Sequence, residues 1–140
     1  MLSLVTSSVE NGGKKENDDY VALKGFFRLM QLWGIRRADQ GVLLGGASRK
    51  TLNEWERALA AGKCPHLSSD QFERISYLLG IHEATRILYK EKQHAYGWIT
   101  RPHKKLGGLS PLEWVVGHKS IMALQSMRYY VDDLKGGVAT

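Results

Sequence analysis

Ser48, Arg49, Lys50, Asn53 and Arg57 combine residue types and a spacing suited to reading a nucleic acid. At about 100° per residue Arg49, Lys50, Asn53 and Arg57 share one face of a helix over residues 48–61, which Ser48 can cap. Leu52, Trp55 and Leu59 form the opposite, apolar stripe. A helix fits the major groove, and Arg, Lys, Asn and Ser near its start can reach base edges and phosphates. Arg36 and Arg37 open a shorter helix over residues 36–44, where they can hold backbone phosphates. Gly45 and Gly46 break the chain between the two helices, which gives a helix-turn-helix pattern. Residues 20–66 carry eight Lys/Arg against three Asp/Glu, a net of +5 out of +6 for the whole chain. Glu54 and Glu56 would repel phosphate if they faced it, so a solvated face in a small helical bundle stays open as an alternative.

Other chemistries find less support. Cys64 and His66 lie close together, but no second pair stands at ligand spacing, so no metal site is expected. His82, His94, His103 and His118 are scattered. No phosphate-cradling glycine loop, nucleophile elbow or paired-carboxylate pattern appears, so neither catalysis nor a cofactor is expected. A protein-binding surface is better supported. Residues 97–117 hold Trp98, Arg101, His103, Lys104, Lys105 and Trp114, and Trp and Arg are enriched at binding hot spots. Partial burial of both tryptophans is expected, which leaves room for core and interface roles together.

The elements that must position these residues are helical throughout. Leu23, Phe26, Phe27, Met30 and Trp33 mark a helix over residues 20–33, with Gly34 just past its end. Ser68 and Gln71 make a capping box for a helix expected to end at Gly80. A further helix is expected over residues 81–92. In the 97–117 stretch Ser110, Pro111 and Glu113 make a second capping box, with Leu109 and Trp114 placed for a hydrophobic staple. The last helix carries Ile121, Leu124, Met127, Val131 and Leu134, and Gly136-Gly137 is expected to stop it. No stretch alternates with the period of two that a strand requires. The fold class is therefore all-α, with about seven helices. It divides into a disordered tail over residues 1–19, a helix-turn-helix unit over 20–66 and a small helical domain over 67–140. A chain of 140 residues with 43% hydrophobic content supports one core. The single cysteine and the lack of a membrane-length apolar run point to the cytoplasm.

Two sets of motifs resemble a known family. The run from Trp33-Gly-Ile through Leu43-Leu44-Gly45, then Ser48-Arg49, Leu52 and Trp55-Glu56-Arg57, resembles the Xre-like helix-turn-helix of bacterial antitoxins. The second set comprises Arg74-Ile75, Leu78-Leu79-Gly80-Ile81, Trp98-Ile99, Pro102, Leu106-Gly107-Gly108 and Ser110-Pro111-Leu112. It resembles the toxin-binding domain of the MbcA/ParS/Xre antitoxins. His103 departs from the pattern, which often has Asn after the Pro. The resemblance implies an antitoxin that does no chemistry of its own. It implies a RES-domain toxin as partner, one that consumes NAD or uses it for ADP-ribosylation. It also implies double-stranded promoter DNA, bound by a homodimer or a larger toxin–antitoxin assembly that represses its own operon. The toxin-facing residues would be Trp98, Arg101 and Trp114 together with Tyr130, Lys135, Gly136, Gly137 and Val138 at the chain end. Those last residues suit a slim end that enters a cleft. The alternative is a stand-alone helix-turn-helix regulator whose second half dimerises or senses a ligand.

Overall fold

A computed structural model describes the backbone of residues 7–139 and the side chains of residues 17–136. Among the described residues seven α-helices follow one another: α1 (Ser7–Trp33), α2 (Arg37–Leu43), α3 (Arg49–Ala60), α4 (Ser69–Leu88), α5 (Lys92–Gly97), α6 (Pro111–His118) and α7 (Ile121–Ala139). Two 3₁₀ turns, Trp98–Thr100 and Lys104–Leu106, lie between α5 and α6. No strand occurs among the described residues.

The central element is α4. It packs most extensively against α7, then against α1 and α5. Leu23, Phe26 and Met30 of α1 meet Ile75, Leu78 and Ile81 of α4 and Leu124, Met127 and Val131 of α7 in one buried cluster. The cluster extends to Leu43, Leu44, Leu52 and Leu59, so the helix-turn-helix rests on the same core as the C-terminal helices. α1 ends as its sequence suggests. Gly34 takes φ +69°, the Ile35 N–H donates to the Met30 carbonyl at 2.9 Å, and the Gly34 N–H to Gln31 at 3.1 Å. These are the paired bonds of a Schellman stop.

Three boundaries differ from the sequence expectation. α1 starts at Ser7, so most of the stretch expected as a tail is helical; residues 1–6 lie outside the described residues. Asp19, placed in that tail, is buried and accepts the Leu67 N–H at 3.3 Å, which ties α1 to the segment leading into α4. Gly80 does not end a helix, because α4 runs through it to Leu88. A helix interior accepts a glycine where a neighbour needs the space. Here a Cβ at Gly80 would overlap the guanidinium of Arg128 from α7. Finally, α7 passes through Gly136 and Gly137 to Ala139, so no break frees a tail there. Thr140 lies outside the described residues.

Candidate functional site

α2 and α3 are joined by a turn that glycine alone can make so tight. The Gly46 and Ala47 N–H groups both donate to the Gly41 carbonyl, at 2.8 and 3.0 Å. A Cβ on Gly41 would collide with the Ala47 backbone oxygen. Ser48 then starts α3: its hydroxyl accepts the Thr51 N–H at 3.1 Å and donates to the Thr51 hydroxyl at 3.0 Å. This side chain is spent on the cap, so it aims the helix rather than offering a free hydroxyl.

Beyond the cap, Arg49, Lys50 and Arg57 are exposed and Asn53 is half-buried. No ion pair engages Arg49, Lys50 or Arg57 among the described residues. The two arginines before α3 are used differently. Arg36 is largely exposed and pairs with Asp39 at 3.0 Å. Arg37 is turned inward: it donates to Gln40 Oε1 at 2.8 Å, pairs with Glu56 of α3, and lies 5.5 Å from the centre of the Phe27 ring. Arg37 therefore clamps α2 to α3 and α1 and is no free phosphate ligand. The same pair accounts for Glu56, whose charge is neutralised inside the unit. Glu54 remains exposed on α3.

Arg74, named in the sequence only among the motifs of the second set and given no role there, proves to be a junction. It is 8% exposed, in the first half of α4. Its Nε donates to Asp70 at 2.7 Å and its Nη1 to the Lys119 carbonyl at 3.2 Å. Lys119 caps α6 in the left-handed region, φ +62°. Across the same guanidinium stands Gly45 of the helix-turn-helix, where a Cβ would sit 3.2 Å from Arg74 Nε. One side chain thus touches the turn of the helix-turn-helix, α4 and the α6–α7 corner. A groove of about 210 Å³ opens beside it, lined by Val42, Gly45, Gly46 and Lys119. The available signal was an Asp four residues before an Arg at the start of an otherwise apolar helix face.

Another cluster sits where the 3₁₀ turns meet α7. Trp98 is fully buried, beyond the partial burial expected, so its ring supports its neighbours and cannot itself touch a partner. His103 stands edge-on to it at 5.1 Å and Tyr130 lies 6.0 Å away. His103 Nδ1 and the Tyr130 hydroxyl are 3.0 Å apart. Burial lowers the His103 pKa, against a backbone hydrogen bond to Trp98 that raises it, and burial raises that of Tyr130. Both groups are thus held neutral, which suits a phenol O–H donating to an imidazole nitrogen. Trp114 is half-buried with its ring 4.1 Å from His118, while Leu109 stands 43% exposed. Arg101 lies over the Tyr89 ring at 5.4 Å, and Lys135 pairs with Asp132 at 3.4 Å. Gly136 is exposed; Gly137 and Val138 continue the backbone of α7. The second capping box is present as read: the Glu113 N–H donates to Ser110 Oγ at 3.1 Å and the Ser110 N–H to Glu113 Oε1 at 2.8 Å.

Among the described residues no group of three or more His, Cys, Asp or Glu could hold a metal ion. No helix among them is long and apolar enough to cross a membrane.

Residues 19–80 match the family described as the antitoxin Xre-like helix-turn-helix domain. The matched span runs from Asp19 past the 62–68 connector into the middle of α4. The chain is also 34% identical over 115 residues to the uncharacterized protein y4oB of Sinorhizobium fredii (strain NBRC 101917 / NGR234). That alignment covers 82% of this chain and 84% of the relative. No solved structure matches.

Proposed function

We infer that this chain, which belongs to the family of Xre-like helix-turn-helix antitoxins, represses its own promoter and neutralises a RES-domain toxin. The observation that carries the DNA half is the state of α3. Its N-terminus is fixed by Ser48, and Arg49, Lys50 and Arg57 stand exposed with no ion pair among the described residues. Phosphate contacts by such side chains position a helix, and the first turn reads base edges. Arg36 extends the phosphate contacts; Arg37 and Ser48 hold the geometry. A homodimer or a larger toxin–antitoxin assembly presents two such helices to double-stranded DNA.

The toxin half rests on the C-terminal helices. Neutralisation is by direct contact that occludes the active site of an enzyme consuming NAD or transferring ADP-ribose. Arg101, Trp114, Tyr130, Lys135 and the end of α7 form the contact surface in this reading, and Trp98 supports it from within. The chain supplies binding surface and no catalytic group. Trp and Arg with a half-buried Tyr suit the centre of such an interface.

Two assays test the reading. Arg49→Ala/Lys50→Ala/Arg57→Ala should weaken promoter binding and flatten its salt dependence, because fewer counterions are released, while toxin neutralisation survives. Promoter binding unchanged in strength and salt slope rejects α3 as the recognition helix. Co-purification with a RES-domain protein encoded next to it, together with loss of NAD consumption in the mixture, tests the partner. A chain that binds promoter but captures no such protein would instead be a stand-alone regulator.

A further inference from the structure

A second positive surface lies outside α3. Residues 86–105 hold six Lys/Arg and one acid, Glu91. No ion pair engages Arg86, Lys90, Lys92, Arg101, Lys104 or Lys105 among the described residues. Arg36, Arg37, Arg74, Arg128 and Lys135, by contrast, all have carboxylate partners. Aromatic rings hold two of the 86–105 cations against the end of α4 and α5. Arg101 lies over Tyr89 at 5.4 Å, which folds the start of the 101–105 segment back onto the end of α4. Arg86 lies over Tyr96 of α5 at 5.8 Å, and its buried Nη1 has no hydrogen-bond partner. Tyr89 and His94 lie 5.6 Å apart and close the corner between α4 and α5. Lys90, Lys92, Lys104 and Lys105 are exposed.

We propose that this α4–α5 corner, with the 101–105 loop, is a second phosphate-binding surface for duplex DNA, used without regard to sequence. The inference rests on the DNA-binding reading above. The composition selects the ligand. Lysine is depleted at the centres of protein interfaces, whereas lysine and arginine dominate contacts to phosphate oxygens. An ammonium on a flexible stem offers a point charge, which suits a phosphate and carries no information about the base. Within the stretch, Ile87 is the one strongly exposed large hydrophobic residue, too little for the apolar centre of a protein interface. The stacked guanidinium of Arg86 is held in place, so little freedom is lost when an anion arrives.

The test measures binding of full-length protein to a long promoter duplex and to a scrambled duplex of equal length, across a salt series. The variants are Lys90→Gln/Lys92→Gln and the same pair with Lys104→Gln/Lys105→Gln. Each lysine that meets a phosphate should reduce the salt slope by about 1. Affinity for both duplexes should fall by the same factor, so the ratio between them stays constant. The α3 triple variant provides the contrast, since it should lose affinity for the promoter more than for the scrambled duplex. An unchanged salt slope in the four-lysine variant, with wild-type binding intact, overturns the second surface and leaves α3 standing. No binding by the wild-type protein overturns both. Unchanged DNA binding with lost toxin capture in the Lys90/Lys92 variant would make the corner an acidic-protein surface, which also overturns the proposal.

Discussion

Ser110 shows how much a single side chain can settle. It is 4% exposed and exchanges two hydrogen bonds with Glu113, so it fixes where α6 begins after the two 3₁₀ turns. Ser110→Ala should lower stability by about 1 kcal/mol through the lost cap. Chemical denaturation checks this, and an unchanged midpoint would mean the cap does not support the fold. Two histidines make a second case. His82 is held below its ordinary value first by burial and then by Arg86, and His103 first by burial. A depressed histidine is neutral in the folded chain while the unfolded chain takes up its proton first. Stability from these residues is therefore complete above the unfolded value near 6.5 and declines as pH falls through each folded value. The thermal midpoint should drop as pH falls below the unfolded value near 6.5, and His103→Gln should shallow that drop. An identical slope in the variant would remove His103 from the account.

At the scale of elements, two buried helical glycines separate what a sequence announces from what packing decides. Gly41→Ala places a methyl group on the Ala47 carbonyl, a backbone atom that cannot step aside without opening the α2–α3 turn. It should cost about 2 kcal/mol or more, and weaken promoter binding in parallel, because overpacking against backbone forces a shift of the whole turn. Gly80→Ala meets the end of a flexible arginine, held by a half-exposed bond to Asp132 at 3.0 Å. The better helix propensity of Ala offsets the displaced guanidinium, so the net change should lie within about 1 kcal/mol of zero. Thermal melts of the two variants side by side decide the contrast; equal effects would mean that the close approach at Gly41 is relieved elsewhere. The same pair explains what was legible beforehand. Caps and turns are local, so Ser48, Ser68, Ser110 and Gly34 could be read along the chain. Gly80 read as a stop because its reason, Arg128, is 48 residues away. Arg37 read as a surface cation because Glu56 is likewise distant in sequence. Charge alone does not distinguish a clamp from a phosphate ligand.

For the molecule as a whole, the shared core sets which parts can be removed. Val131 is fully buried, Leu134 packs against the same core, and Tyr130 reaches His103 at 3.0 Å. Deleting from Tyr129 onward strips these contacts from α4 and should abolish toxin binding and lower the thermal midpoint by several degrees or more, since each lost kcal/mol moves a domain of this size by about 2–8 °C. Gly136 is exposed and nothing lies within 4 Å of where its Cβ would stand, so a deletion of residues 136–140 starts outside that core. Toxin capture should then persist while inhibition of NAD consumption weakens. The continuity of α7 to Ala139 adds a sharper distinction. If the blocking end acts as a helix, Gly136→Ala removes the conformational freedom that a mid-helix glycine keeps in the unfolded state and stiffens the end by about 1 kcal/mol. Inhibition by this variant should equal or exceed that of the wild-type chain in an NAD-consumption assay at matched toxin occupancy. Weaker inhibition with unchanged capture would mean that the end must unwind to enter the cleft, as a slim tail would, and that the helical form is the resting state alone.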